Sequence, residues 1–263
     1  MAAQQAQAAV AVVQLQNKTK YFINNVFKKN NQLVTKTAIL IFSRSAGSES
    51  NFKKLHTNRA GNAKLHQAFY NKTLGIVKET GLPFILINEA RQRGNNFGEK
   101  FCNAIEFSFS QGYNKIITVG NDCSALSATD ILQANDYLQK NNNAIGPDNH
   151  GGFYLLALQK NDYSRESFLN FTWCSKTLFA EINRYFLNHV SSACSQLGFK
   201  ADINNTCDIV ALVKQEDKNL FIQILIRIFF TFRKAFAENI NAFTSCLINI
   251  VSRRGPPAVK FYC

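Results

Sequence analysis

The stretch ITVGNDCSALSATDI, residues Ile117–Ile131, decides how this sequence folds. An apolar run that starts at Lys115 stops abruptly at Gly120, and a carboxylate, Asp122, stands just past the stop. Ser127 or Thr129 then opens a helical pattern that runs to about Asn141. Strand, loop and helix in that order are the repeating unit of a layered α/β fold. Asp122 is either a turn or cap residue or a carboxylate held at a strand end, where one or two such groups suffice to bind a divalent cation that also bridges phosphates.

The same grammar extends in both directions. Thr37–Phe42 (TAILIF) is a continuous apolar run, the pattern of a strand covered on both faces. The small, polar residues Ser43–Ser48 after it predict a loop. Residues 61–80 place Leu65, Ala68, Phe69, Leu74, Ile76 and Val77 at helical spacing, with Gly81 and Pro83 to stop the helix. Residues 83–88 form a second buried strand; a loop carrying Gly94 and Gly98 leads to a helix over 98–110, ended by Gly112. Asn143–Pro147 is a brief strand, and Gly152–Leu158 a further one. Strands that alternate with helices predict an α/β fold with a mostly parallel sheet. Ligands of such sheets sit beyond the carboxyl ends of the strands, and Arg44, Asp122 and Asp148 all fall there.

Composition narrows the function classes. The chain of 263 residues is 46% hydrophobic and 18% charged, enough apolar residue for a substantial core. Its net charge of +13 is concentrated at the two ends. Residues 1–36 carry five lysines and no acid, and residues 214–263 carry eight basic against three acidic residues. The 37–213 segment holds the other seventeen basic and fourteen acidic residues, a balance that does not make a nucleic-acid reader. The seven cysteines, an odd number without a C-x-x-C pair, suggest neither a zinc site nor a disulfide framework; reduced thiols in a cytoplasmic protein are the simpler expectation. The first twenty residues lack a basic stretch ahead of their short apolar one, so no secretory signal is expected. Three segments result: an Ala/Gln-rich, basic N-terminal tail (1–36), the α/β domain (37–213) and a basic, apolar helical extension (214–263).

Within that extension Phe221, Leu225, Ile228, Phe232 and Phe236 recur at helical spacing, but Arg227, Arg233 and Lys234 leave no uncharged run of the ~20 residues that cross a bilayer. The segment is a helix packed on the domain, a basic amphipathic helix lying on a membrane surface, or a partner-binding helix.

Six stretches hold candidate chemistry. In FSRSAGSESNFKKL, Arg44, Lys53 and Lys54 supply cations suited to phosphate, although the spacing fits neither the dinucleotide fingerprint nor the P-loop. In IGPDNHGGFYLLAL, Asp148 and His150 precede Gly151 and Gly152, which either let backbone approach a ligand or make a tight turn. In RGNNFGEKFCNAI, Gly98, Glu99 and Lys100 open a helix whose positive end suits Glu99. FTWCSKTLF holds Trp173, the only tryptophan, which is either core or the wall of a sugar or base pocket. In ADINNTCDIVAL, Asp202 and Asp208 either reach the site or cap a helix. The sixth is the Asp122 block itself.

Taken together these blocks resemble the bacterial DUF2064 family, small glycosyltransferase-like proteins known in part as arsenosugar-associated glycosyltransferases. The likeness runs from about Thr37 to Val213. It rests on Phe42-Ser43-Arg44, on Gly94 to Lys100 (G-x-x-x-G-E-[RK]), on Gly120 to Leu126 (G-[ST]-D-C-P-x-L), on Gly146 to Leu155 (G-P-x-x-D-G-G-[YF]-Y-L) and on Trp173-Cys174-Ser175 (W-x-[ST]). A closing D-[IV]-D-T-x-x-D element matches loosely at Asp202 to Asp208. Three departures stand out: the family's basic G-x-x-K-T-R-L element is reduced to Ser50–Leu55, where Lys54 stands in place of the Arg, His150 replaces an Asp, and Ser124 replaces a Pro.

The resemblance implies a Rossmann-like three-layer α/β/α sandwich of the nucleotide-diphospho-sugar transferase (type-A glycosyltransferase) kind. It implies a transferase that uses Mg²⁺ or Mn²⁺ on Asp122, with a nucleotide-sugar donor and a small-molecule acceptor. Arg44, Lys53, Lys54, Gly98, Glu99 and Lys100 would face the nucleotide, Asp148 and His150 the acceptor's proton, and Gly151, Gly152, Tyr154, Trp173 and Ser175 the acceptor pocket. Nucleotidyl transfer from a triphosphate and a binding protein that has lost catalysis are the competing expectations.

Overall fold

The computed structural model describes residues 36–214 and 219–231. The N-terminal tail, apart from Lys36, lies outside the described residues, as do Phe232 and Phe236 of the expected C-terminal helix face.

Six strands form one sheet: β1 (Thr37–Phe42), β2 (Phe84–Ile87), β3 (Lys115–Val119), β4 (Asn143–Pro147), β5 (Phe153–Gln159) and β6 (Cys194–Gln196). Their spatial order is β2-β1-β3-β5-β4-β6. Strand β1 is parallel to β2 and β3, and β4 is parallel to β6; β5 alone runs the other way, between β3 and β4. The eight described α-helices are α1 (Ala46–Phe52), α2 (Arg59–Glu79), α3 (Phe97–Ser110), α4 (Ala128–Gln139), α5 (Arg165–Asn170), α6 (Leu178–His189), α7 (Thr206–Val213) and α8 (Leu220–Thr231).

The continuous apolar runs are explained by helices on both faces. Ala38, Leu40, Ile116, Leu156 and Leu158 point to one side, where Ile105 of α3, Phe168 of α5 and Ile182 of α6 cover them. Ile39, Ile41, Ile117, Val119, Leu155 and Ala157 point to the other, under Val77 of α2 and Ile131 and Leu138 of α4. The result is the expected α/β/α sandwich. A smaller cluster joins Leu65 and Phe69 of α2 to Ile209 and Leu212 of α7 and Leu225 of α8.

The structure corrects three expectations. Strand β2 is not buried throughout: it is an edge strand, with Phe84 exposed and only Ile87 fully buried. Ala46–Phe52 is a helix, not a loop. Gly, Ser and Asn give the segment poor helix propensity; it folds because the Ser45 hydroxyl caps the Ser48 N–H and Ala46 is buried. Cys207 is disulfide-bonded, whereas Cys102, Cys123, Cys174 and Cys194 are free. Spacing along the chain carries no information about such pairings.

Helix α8 packs on α2: Phe221 meets Phe69 edge-on at 5.2 Å, and Phe229, farther along α8, meets His56 at 5.1 Å. No helix among the described residues is long and apolar enough to cross a membrane.

Candidate active site

The carboxyl ends of β1, β3 and β4 converge, and each expected charged group leaves the sheet there. Asp122 follows β3, and its carboxylate is 39% exposed. Lys53 Nζ donates to Asp122 Oδ2 at 3.0 Å and to the Ile203 carbonyl at 3.0 Å. The lysine backbone is pinned: its N–H closes α1 on the Glu49 carbonyl, and its own carbonyl accepts from Asn62 Nδ2 at 3.1 Å and faces His66 Nε2 at 2.8 Å. Asn121 Nδ2 reaches the Arg44 carbonyl at 3.5 Å and joins the ends of β3 and β1.

A return segment between β6 and α7 crosses these strand ends. Lys200 N–H donates to the Pro147 carbonyl at 3.2 Å, and Ile203 N–H to the Asp122 carbonyl at 2.9 Å. Cys123 and Asp202 pair across that crossing. It delivers Asp202 beside Asp122 and Asp148. Asp202 as a whole is half-buried, but its Oδ1 atom is buried with no hydrogen-bond partner. Burial first, then the negative charges of Asp122 and Asp148, push its carboxyl up to about 8, while Lys53 pulls the other way. The sequence named Asp202 and Asp208 as equal candidates, and the structure separates them. Asp208 accepts from the Asn205 N–H, and the Asn205 side chain accepts from the Asp208 N–H: a capping box at the start of α7. The N-x-x-D spacing before an apolar run was the available signal for that cap.

Asp148 is buried, and its Oδ1 accepts from the His150 and Gly152 N–H groups at 2.6 and 2.9 Å. It organises the β4–β5 turn and leaves His150 exposed. Gly151 has φ +89, and a Cβ there would run into the Lys176 carbonyl. Of the two readings, close approach to a ligand or a tight turn, the geometry shows the turn, and the missing side chain admits neighbouring backbone.

The remaining candidates divide. Arg44 lies beside Asp122's loop, but its guanidinium sits on the Phe52 ring at 4.1 Å and 3.4 Å from Glu49. Lys54 is exposed, and Lys53 is the lysine that reaches Asp122. Glu99 caps α3 by accepting from the Asn95 N–H at 2.7 Å and from Asn96 Nδ2 at 3.0 Å; Lys100 follows it in the first turn. Gly98 is buried beneath Trp173, whose Cδ1 would lie 2.6 Å from a Cβ at that position, so it presents no surface to phosphate. The indole donates to the Phe168 carbonyl at 2.7 Å and packs between Phe97, Phe101, Phe153 and Phe171. Ser175 Oγ pairs with Thr177 Oγ1 at 2.9 Å. Tyr154 is 3% exposed, its hydroxyl bonded to the Gly198 carbonyl at 3.1 Å; it is a core residue, in the same buried cluster as Ile131, Leu155 and Leu197.

The donor chemistry suits a hard divalent cation in one respect: Asp122 and Asp202 offer only oxygen, and one of those oxygens is buried and unpaired. No ready-made cage of three or more His, Cys, Asp or Glu side chains exists among the described residues.

Residues 82–175 match a family model described as an uncharacterized protein conserved in bacteria (DUF2064), as the motifs implied. The match spans Asp122, the Asp148 turn and Trp173, and leaves Arg44, Lys53 and Asp202 outside. The fold is similar to that of a protein from Desulfovibrio desulfuricans G20, provisionally named a nucleotide-diphospho-sugar transferase, with TM-score 0.62, 19% identity and coverage of 74% of this chain and 95% of that one. A second solved structure, the CMP:2-keto-3-deoxy-manno-octonic acid synthetase complexed with CTP, matches with TM-score 0.34 and 10% identity over 67% of this chain and 96% of that one. No curated protein sequence matches.

Proposed function

We propose that the chain is a transferase that takes a nucleotide-activated donor, a nucleotide sugar by preference, and passes its sugar to a small-molecule acceptor. The observation that carries the reading is the pairing of Asp122 with Lys53 at the end of β3, beside the orphaned carboxyl of Asp202. A diphosphate needs positive charge at its bridging oxygens, and this is where the chain concentrates groups that can hold or supply it. The provisional name of the Desulfovibrio protein, on the same fold, points the same way.

In this reading Asp122 holds Mg²⁺ or Mn²⁺ with help from Asp202. The cation, when bound, neutralises charge on the leaving diphosphate as a Lewis acid. Lys53 contacts the phosphates, and Arg44 joins them by leaving Glu49. Asp148 Oδ1 is committed to its turn, so the exposed His150 is assigned to the acceptor hydroxyl as general base. In this reading a diphosphate already takes both Lys53 and Arg44, and a third phosphate would have to draw on exposed Lys54, which favours glycosyl over nucleotidyl transfer. A reducing, cytoplasmic setting fits the four thiols that are free among the described residues; the Cys207 disulfide stands against it, and thiol titration of the native protein decides.

The test is product analysis. Incubation with single nucleotide sugars, Mn²⁺ and a panel of small hydroxyl acceptors is expected to release a nucleoside diphosphate as the sugar passes to the acceptor, and Asp122→Ala to abolish the release. Pyrophosphate from a triphosphate, with nothing from any nucleotide sugar, would replace this reading with nucleotidyl transfer.

A further inference from the structure

Lys53 is held at both ends. Its backbone is fixed on both sides, by the end of α1 and by Asn62 and His66 of α2. Its side chain is 17% exposed, and its ammonium sits on Asp122 Oδ2 and the Ile203 carbonyl, both at 3.0 Å. Only the four-carbon stem can move. A divalent cation seeking Asp122 therefore meets one carboxylate oxygen already neutralised by a fixed-backbone ammonium, with the Oδ1 atom of the partner carboxyl, Asp202, buried behind it.

We infer that Lys53 is the resident counter-ion of Asp122: it holds the carboxylate until a divalent cation and a diphosphate arrive together, then turns its ammonium onto the phosphates. Two consequences follow from charge alone. A cation arriving alone must displace a like charge and gains no phosphate oxygens in return, so it binds weakly. A cation arriving with a diphosphate gains those oxygens, and the displaced ammonium gains a new anion within reach of its stem. Metal and nucleotide then bind as one event, and the empty site does not fill with metal. This inference rests on the proposed function for its nucleotide half, whereas its metal half stands without it.

The experiment measures two affinities in wild type and Lys53→Met: Mn²⁺ alone, by electron paramagnetic resonance titration, and a panel of nucleoside diphosphates at fixed Mn²⁺, by calorimetry. Lys53→Gln, which keeps a donor for the Ile203 carbonyl, is the second variant should Lys53→Met fail to fold. The inference expects opposite signs: Mn²⁺ alone binds the variant about ten-fold more tightly, because a unit positive charge has left its side, and the nucleoside diphosphate binds about ten-fold more weakly. Unchanged or weaker Mn²⁺ binding in the variant overturns the inference, because a lysine that merely braces the loop would loosen both ligands. If no nucleoside diphosphate binds either protein while Mn²⁺ still binds the variant more tightly, the proposed function fails and the counter-ion role stands.

Discussion

Replacing Asp202 by Asn should make the protein more stable at alkaline pH and hardly change it near pH 4. The folded carboxyl titrates at about 8 instead of its ordinary 3.8, because burial and the neighbouring Asp122 and Asp148 penalise its charge. A raised carboxyl is protonated in the fold while the unfolded chain has already lost that proton. Folding therefore takes up a proton between about pH 4 and 8, and stability falls as pH rises through that window. Each ten-fold change in the acid constant is worth about 1.4 kcal/mol, so the whole displacement sets a ceiling of about 6 kcal/mol. Water penetration and movement of Lys53 toward the charge reduce this to about 2–3 kcal/mol. Asn keeps the shape and never ionises. Thermal unfolding from pH 4.5 to 8.5 is the assay, and at about 2–4 °C per kcal/mol the variant should melt roughly 5–10 °C above wild type at the alkaline end. A constant difference across the range, or a less stable variant at the alkaline end, would refute the placement of Asp202 as a desolvated, charge-crowded acid.

Other predictions test neighbouring parts of the structure. Gly98→Ala forces a methyl against Trp173 Cδ1 and should cost about 1–3 kcal/mol in denaturant unfolding; a change too small to measure would mean the indole is not seated there. Tyr154→Phe loses the bond to the Gly198 carbonyl and should cost about 1 kcal/mol with turnover unchanged; a selective rise in acceptor KM would return Tyr154 to the pocket. Asp208→Ala removes half of a capping box and should cost about 1 kcal/mol without affecting metal binding, whereas Asp202→Asn should weaken Mn²⁺ binding; equal effects of the two on Mn²⁺ would erase the distinction drawn between them.

The sandwich was legible because its signals are local. Runs such as Thr37–Phe42 and Lys115–Val119 are apolar on both faces, and Gly and Pro mark where they stop. The antiparallel direction of β5 and the short helix Ala46–Phe52 were not legible, since strand direction and a weakly helical segment are both settled by tertiary packing. That Asp122 and Asp148 stand just past strand ends was legible, because each follows the stop of an apolar run. The neighbours of Gly98 and Gly151, an indole and a backbone carbonyl, come from distant parts of the chain and left no mark in the local sequence. The resemblance favoured Lys54, which stands where the family has Arg, but the pinned end of α1 brings Lys53 to Asp122 and leaves Lys54 exposed. Asp202 comes from a return segment about 80 residues after Asp122, a distance over which no spacing rule operates.

The central claim is that Asp122 faces the diphosphate of an activated donor. Its most direct test is thermal unfolding of wild type and Asp122→Ala with UDP-, GDP-, ADP-, CDP- and dTDP-sugars, with and without Mn²⁺. A donor at about 100 times its Kd adds about 2.7 kcal/mol, which raises the melting temperature by roughly 5–10 °C for a domain of this size. The account predicts such a rise for one donor, dependent on Mn²⁺ and absent from the variant. A donor effect that survives intact in Asp122→Ala, or no effect with any nucleotide sugar, would contradict it.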